Sequence, residues 1–319
     1  MAEFSIIRQY FQSLTSQSIA SQSPTSPAPA DVGIGDDCAV TSLPQDMQLV
    51  SCVDTLVAGR HFPLDTSAHA IGWKSVAVNL SDLAAMGATA HSILLALSLP
   101  KIEDAWLAEF SRGVADCCKK YNVQLIGGDT TQSPTLTISI TALGWIQTGQ
   151  AILRSGAQVG DLIVVSGEIG SAAYALRHPN SALQATLDYP HPQLALGQSL
   201  LGFASSMIDI SDGLAQDLGH ILHASQVGAT LQLEQIPVAN ELAQLSVEQR
   251  FADVLAGGDD YQLCFTISPD NFQRWQAQFA QNGMALVTVI GQIQQQQTCH
   301  YFYQNQKFTP KKSGYQHFA

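Results

Sequence analysis

Apolar positions along this chain follow two spacings that alternate from segment to segment. Phe4, Ile7, Phe11 and Leu14 recur at helical intervals and predict an amphipathic helix over residues 3–14. Ser16 to Ala30 is rich in Ser, Gln and Pro and reads as a loop. Leu49 to Val57 (LVSCVDTLV) is strand-like, with Asp54 its one charge. From Ala70 to Met86 there is no proline and only one glycine, and Gly87 follows, which predicts a helix closed by a glycine cap. His91 to Leu99 predicts a strand and Ile102 to Tyr121 a helix. Val123 to Ile126 predicts a strand that delivers the turn Gly127-Gly128-Asp129-Thr130-Thr131. Between Thr135 and Trp145, Thr137, Ser139 and Thr141 alternate with Leu136, Ile138, Ile140 and Ala142, the period of a half-buried strand.

A second set of elements begins after Gly149, so the expected domains are residues 1–149 and 150–319. Leu162 to Val165 and Met207 to Ile210 predict buried strands. Ser211-Asp212-Gly213 then opens a helix with Leu214, Leu218, Ile221 and Leu222 on one face. Strands are expected at 229–233, 263–267 and 286–290, and helices near 239–245 and 272–281. Gln294 to Gln297 reads as a polar loop. The tail, His300 to Phe302 and Lys307 to Phe318, keeps aromatic residues, of which Tyr315 and Phe318 are too apolar for a frayed end. Both halves mix strands and helices, an α/β (α+β) class. NLSDLA and DISDGLA look alike, too short a match to argue a duplication.

Composition narrows the function. A chain of 319 residues with 46% hydrophobic content can build two cores. With net charge −12 and only 14 Lys plus Arg, it offers no basic face to neutralise a nucleic-acid backbone, so no nucleic-acid partner is expected. No run reaches the roughly 18 apolar residues of a membrane span, and the N-terminus lacks the charged start and apolar core of a signal peptide. The expectation is a cytoplasmic protein without a membrane partner. The six cysteines form no C-x-x-C pair and sit mostly in apolar runs, as reduced buried thiols do.

Against 13% charged residues overall, the placement of aspartate is selective. Asp36 and Asp37 stand on the glycine turn GIGDDC, Asp54 in the first long strand, Asp82 in NLSDLAAMG and Asp129 in IGGDTT. Asp209 and Asp212 lie in IDISDG, and Asp259 and Asp260 in AGGDDY. Two carboxylates about 4 Å apart repel by roughly 4 kcal/mol at the effective dielectric near a protein surface, a cost that a divalent cation removes. Asp beside Gly is common in plain turns, but five such turns against apolar elements point to a multi-metal site holding nucleotide phosphates. Ser75, Asn79 and Asp82 share one face of a helix that is otherwise apolar, which makes them either a satisfied hydrogen-bond network or the wall of a site. Ser211 and Asp212 have the alternative of capping a helix. Arg154, beside Ser155-Gly156, either clamps a phosphate or makes a surface ion pair. His220 and His223, without a third ligand nearby, read as packing or surface residues. The chain lacks G-x-x-x-x-G-K-[ST], G-x-G-x-x-G and H-R-D with D-F-G, so a bound nucleotide must be held by metals and backbone amides. Carboxylates hold Mg²⁺, which bridges to phosphate oxygens.

The motifs GIGDDCAV, DTLVAGRHF, WKSVAVNLSDLAAMGA, LIGGDTT, LRSGAQVGD, IDISDGLAQDLGHI and GGDDYQLCF, in this order, resemble the bacterial thiamine-monophosphate kinase family. The likeness runs from Glu3 to Phe318. It implies the two-domain aminoimidazole ribonucleotide synthetase-like fold: an N-terminal sheet-helix domain that closes a barrel across a homodimer, and a C-terminal α/β domain. The implied reaction is direct in-line transfer of the γ-phosphate of ATP to thiamine monophosphate, giving thiamine diphosphate and ADP. By the same likeness Asp37, Asp54, Asp82, Asp129, Asp209 and Asp212 bind several Mg²⁺ ions, joined by the carbonyls of Cys52 and Val53. Asp82, Asp129 and Asp212 belong to the catalytic centre. Gly128, Asp129, Arg154 and Ser211 contact ATP, and His61, Asp259 and Tyr315 line the thiamine phosphate pocket. Cys52-Val53 stands where relatives often have Ser-Thr, Asp259 where they have Glu, and Gln262 where they have a second Glu. The loop before Asp31 is unusually rich in Ser and Pro. Other readings are a different superfamily activity, such as ATP-dependent ring closure or selenophosphate synthesis, and a silent nucleotide- or cation-binding protein.

Overall fold

A computed structural model describes residues 6–12, 14, 33–34, 38–279, 286–312 and 314. They form two compact units. The first comprises residues up to Leu83 together with Ala88–Thr148, and the second Ala84–Gly87 together with Gly149 onward.

In the first unit a short helical segment, Ile7–Phe11, precedes β1 (Met47–Val57), α1 (Ala68–Ala85), β2 (Thr89–Leu99), α2 (Asp104–Tyr121), β3 (Gln124–Gln132) and β4 (Thr137–Gln147). The strands make one sheet in the order β1-β4-β2-β3, leaving β1 and β3 as its edges. β2 and β3, joined through α2, are parallel, and the other pairs are antiparallel. Ile93, Leu95, Leu97, Ile138, Ile140 and Ala142 are buried on one face, and each large apolar side chain so placed contributes about 1.5–3 kcal/mol. The alternating positions of β1, Leu49, Ser51, Val53 and Thr55, are exposed, Val53 at 61% and Leu49 at 53%.

Helix α1 is buried on most of its circumference, with Ile71, Val76, Ala77, Val78, Leu80 and Leu83 all nearly inaccessible. Its end follows the cap expected of Gly87: at φ +72° this residue donates its amide to the Ala84 carbonyl (3.0 Å), and Ala88 donates to Leu83 (2.9 Å). That pair of bonds is a Schellman closure, satisfying carbonyls that the helix end would leave open. α1 and α2 approach backbone to backbone at two glycines. A Cβ on Gly72 would lie 2.2 Å from the Phe110 carbonyl oxygen, and one on Gly113 2.0 Å from that of His69.

The second unit holds a seven-stranded sheet, ordered β11-β10-β7-β9-β5-β8-β6. Its strands are β5 (Leu162–Ser166), β6 (Ala204–Asp209), β7 (Gly228–Gln232), β8 (Leu263–Ile267), β9 (Val287–Gln294), β10 (Cys299–Tyr303) and β11 (Gln306–Phe308). The helices are α3 (Ser171–Arg177), α4 (Gln184–Asp188), α5 (Leu194–Ser199), α6 (Leu214–Ser225), α7 (Asn240–Ala243), α8 (Val247–Ala256) and α9 (Pro269–Phe279). Ile163, Val165, Ile208 and Cys264 face a core shared with α6 and α8, while Val164, Met207, Leu263 and Phe265 face another shared with α5 and α9. A sheet covered on both sides needs strands that are apolar throughout, which is why LIVVS and LCFTI do not alternate.

Several elements differ from their expected extent. β3 runs on through Gly127–Thr131, so the segment expected as a turn is strand. β9 reaches Gln294, at the start of the expected polar loop, because its end pairs with β7 through Gly228. α7 is shorter than the expected helix at 239–245, and α3, α4, α5 and α8 had no counterpart in the periodicity reading. The tail from His300 is strand, with Tyr303 and Phe308 against Phe251 at ring-centroid distances of 5.2 and 5.4 Å. Tyr315 and Phe318 lie outside the described residues, as do Ser16 to Ala30. All six cysteines are free. No helix among the described residues is long and apolar enough to cross a membrane.

Candidate active site

In the first unit the acidic positions are organised by Asn79. Its Oδ1 accepts the Asp54 amide at 2.9 Å, its carbonyl accepts the Cys52 thiol at 3.3 Å, and its Nδ2 donates to the Ser75 carbonyl at 3.0 Å. Ser75 in turn donates to the Gly72 carbonyl at 2.9 Å. The polar stripe on α1 therefore divides. Ser75 and Asn79 form a satisfied network that staples α1 to the edge strand, and Asp82, one turn on, is half-buried beside Cys52. Burial first, and then the charges of Asp82 and Asp54, push the Cys52 thiol far up, so it stays protonated. Since the Asp54 amide is turned to Asn79 rather than to β4, strand alternation turns the Cys52 carbonyl to the open edge and the Val53 carbonyl toward β4.

Asp129 stands apart from this group. Strand register places Thr55, Ser139, Ala96 and Asp129 in one row and Asp54, Ile140, Leu95 and Gly128 in the next. Side chains of successive rows point to opposite faces, so Asp129 shares the helix-free face with Thr55 while Asp54 faces the helices. The two also lie on opposite edge strands, three strand spacings or roughly 14 Å apart. Gly128 is required where it is: a Cβ there would fall 1.9 Å from the Leu95 carbonyl oxygen. Gly128→Ala is expected to part β2 from β3 locally, at about 1–3 kcal/mol. Amide exchange of Leu95 and Asp129, faster in the variant by at least tenfold, checks this.

His61 follows β1 in a tight return in which its amide donates to the Val57 carbonyl and its Nδ1 accepts the Val57 amide, both at 3.0 Å. An accepting Nδ1 leaves the proton of the neutral ring on Nε2. Gly35 to Asp37 and Tyr315 lie outside the described residues, so Asp37 and Tyr315 have no described position.

In the second unit β6 ends at the buried Asp209 and passes into Ser211-Asp212-Gly213. Neither Ser211 nor Asp212 caps α6. Asp217 in the helix's first turn instead reaches back to close the turn before the helix, its Oδ2 accepting the amides of Ser211, Asp212 and Gly213 at 3.0, 3.0 and 3.1 Å. Burial, then the neighbouring Asp209 charge, raise the Asp217 carboxyl to about 7, against the pull of the donated amides. Asp212 itself takes a hydrogen bond from Gln216 at 2.9 Å.

The GGDDY loop is laced to this turn by backbone bonds. Asp259 donates to the Ser211 carbonyl (2.9 Å), Tyr261 to Ile210 (2.8 Å), and Ile210 to Gln262 (2.7 Å). Asp260 is buried and accepts the amides of Gly170 and Ala172 at 2.7 and 3.3 Å, and burial raises it to about 7. Gln262 does not face this loop's open side. Its Oε1 accepts the Ser166 hydroxyl at 2.7 Å, and that hydroxyl accepts the Leu263 amide, which makes Gln262 part of the strand framework.

Arg154 is exposed, and among the described residues its guanidinium makes no ion pair. Its turn is held by Ser225, which accepts the Gly156 and Ala157 amides at 3.1 Å each and donates to the Arg154 carbonyl. His220 and His223 are exposed on α6. Sequence reading had missed Asp217, Tyr261 and Ser225. Only Asp217, an acid in a first helical turn, carried a usable signal.

The structure thus assembles the acids as two groups, Asp54 with Asp82 in the first unit and Asp209 with Asp212 and Asp217 in the second. Among the described residues no cluster of three or more His, Cys, Asp or Glu side chains is arranged to hold a metal ion. The donors nevertheless suit a hard cation. They are carboxylates crowded enough to raise one another's neighbours, and the one thiol is protonated.

Comparison with known proteins extends this picture over the whole chain. The AIR synthase related protein N-terminal domain family matches residues 35–146, and the corresponding C-terminal domain family matches residues 158–303. The thiamine-monophosphate kinase of Escherichia coli (strain K12) is 38% identical over 330 aligned positions, covering 99% of this chain and 98% of that protein. The solved thiamine-monophosphate kinase of Stenotrophomonas maltophilia K279a superposes with a TM-score of 0.78 at 41% identity, over 85% of this chain and 90% of that one. A structure described as AaThiL complexed with AMPPCP and TMP superposes at 0.75 with 27% identity, over 87% and 89%. With matching fold, motifs and near-complete coverage of both partners, the chain belongs to the thiamine-monophosphate kinase family.

Proposed function

We propose that this protein transfers the γ-phosphate of ATP directly to the phosphate of thiamine monophosphate, forming thiamine diphosphate and ADP. Near-full-length likeness to thiamine-monophosphate kinases carries the reading, and a structural relative described with an ATP analogue and TMP supports it. The attacking phosphate oxygen is already anionic, so the chain needs to supply position and charge rather than a strong base.

Asp37, Asp54, Asp82, Asp209 and Asp212, with the Cys52 carbonyl at the open edge of β1, would hold Mg²⁺, and Asp129 would hold an ion apart from Asp54, on the opposite face of the sheet; the Val53 carbonyl, turned toward β4, does not join them. When bound, the ions would neutralise charge on the transferring phosphoryl group. Arg154, exposed and without an ion pair among the described residues, would clamp ATP phosphate, with Gly128 and Ser211 offering backbone contacts. His61 presents an Nε2 proton, and Asp259 a carboxylate, to the acceptor, with Tyr315 as a third acceptor contact. The protein acts as a homodimer, a second copy covering the helix-free face that carries Leu49 and Val53. Since ATP is an intracellular nucleotide, this reading places it in the cytoplasm.

A phosphate-transfer assay with ATP, Mg²⁺ and thiamine monophosphate tests the proposal, with thiamine and an aminoimidazole ribonucleotide precursor as controls. ADP and thiamine diphosphate are expected in equal amounts from thiamine monophosphate alone. Turnover only with the aminoimidazole precursor, or none with any acceptor, would sink it.

A further inference from the structure

The GGDDY loop contains two non-glycine residues in the left-handed region, Asp259 at φ +69° and Tyr261 at φ +49°. Such conformations cost about 1–2 kcal/mol each and persist only where surrounding bonds over-determine them. Here they do. The Asp259 amide is tied to Ser211, the Tyr261 amide to Ile210, and the side chain between them, Asp260, is buried on the amides of Gly170 and Ala172. With the backbone pinned on both sides, the only freedom left to Asp259 is its own short side chain. Tyr261 restrains it, its buried ring carrying a hydroxyl that donates to Asp259 Oδ1 at 3.0 Å.

We propose that Tyr261 is a positioning residue for acceptor recognition, its hydroxyl on Oδ1 setting the plane in which the half-buried Asp259 carboxylate meets the donor groups of the phosphoryl acceptor. The inference rests on the kinase reading above and names how the acceptor side of that site is set. A carboxylate oriented in this way accepts from an aminopyrimidine amine or attracts a thiazolium cation. A carboxylate left to rotate would lose rotamer freedom on binding, and its affinity for the acceptor would fall accordingly. In the reading above Asp259 is an acceptor contact and not an ATP contact, so the effect is expected on one substrate.

Steady-state kinetics of Tyr261→Phe, Asp259→Ala and the double variant test this. Tyr261→Phe is expected to raise KM for thiamine monophosphate about five- to tenfold, the effect of one lost hydrogen bond, with kcat and KM for ATP changed less than about twofold. In the Asp259→Ala background the same change is expected to add nothing, since two residues acting through one contact are not additive. An unmoved KM in Tyr261→Phe, an equal rise in both backgrounds, or a matching rise in KM for ATP overturns the inference while leaving the kinase reading intact. A wild-type enzyme without thiamine monophosphate-dependent turnover sinks both.

Discussion

Asp82→Asn is expected to lower ADP release by at least about a hundredfold while leaving the fold in place. The residue sits on α1 between side chains that form the core, Leu80 and Leu83, but is itself only half-buried. Asn has the same shape, so packing is unchanged, and melting should stay within a few degrees of wild type. What disappears is a charge directed at the β1 edge, where Asp54 is held by Asn79. Removing a group that neutralises transition-state charge typically costs about 10² to 10³ in rate. A second readout reports the geometry independently of turnover. Because Asp82 helps hold the Cys52 thiol protonated, the variant should alkylate faster at Cys52 in alkaline buffer, as peptide mapping would show. Unchanged turnover would defeat the placement of Asp82 in the site, and unchanged Cys52 reactivity its proximity to the strand.

The other large effect is expected at Asp217. Asp217→Ala strips the acceptor from three consecutive amides and leaves the Ser211-Asp212-Gly213 turn without its cap. Buried donors without a partner cost about 1–3 kcal/mol each, offset in part because the Asp209 carboxylate loses a like-charged neighbour. The net loss should be about 3 kcal/mol of unfolding free energy, measured by denaturant titration, with KM for ATP raised tenfold or more. Asp217→Asn is the discriminating control. A single oxygen accepts all three amides, so an amide oxygen in its place should restore most of the stability and much of the ATP affinity. Equal damage from Ala and Asn would mean that the negative charge, and not the cap, holds the turn.

Much of the fold was legible before any coordinate. The core strands and the long helices α1, α2 and α6 announce themselves through periodicity, and the glycine after α1 through its cap chemistry. The acids at 54, 82, 209 and 212 stood out because an ionised group inside an apolar run needs a partner. What escaped were short helices such as α3 and α5, whose few turns leave too little periodicity, and β10, whose evenly half-buried residues show no alternation. Residue roles escaped for a different reason. Asp217 and Tyr261 act through contacts that strand pairing and helix packing create, and nothing in their neighbours' identities marks the partner; the stripe on α1 marked Ser75 and Asn79 as a hydrogen-bond network, but not Asn79's partners on β1.

Local pattern alone therefore determined the core strands and the long helices, which residues carry charge at apolar elements, and the family to which their order belongs. Tertiary structure decided how those residues are oriented: Asp54 and Asp129 on opposite faces of one sheet, Asp217 closing the Ser211-Asp212-Gly213 turn, and Tyr261 against Asp259. The division is physical, since periodicity and capping act within a few residues of the chain, whereas register, burial and long-range hydrogen bonds exist only once distant segments have met.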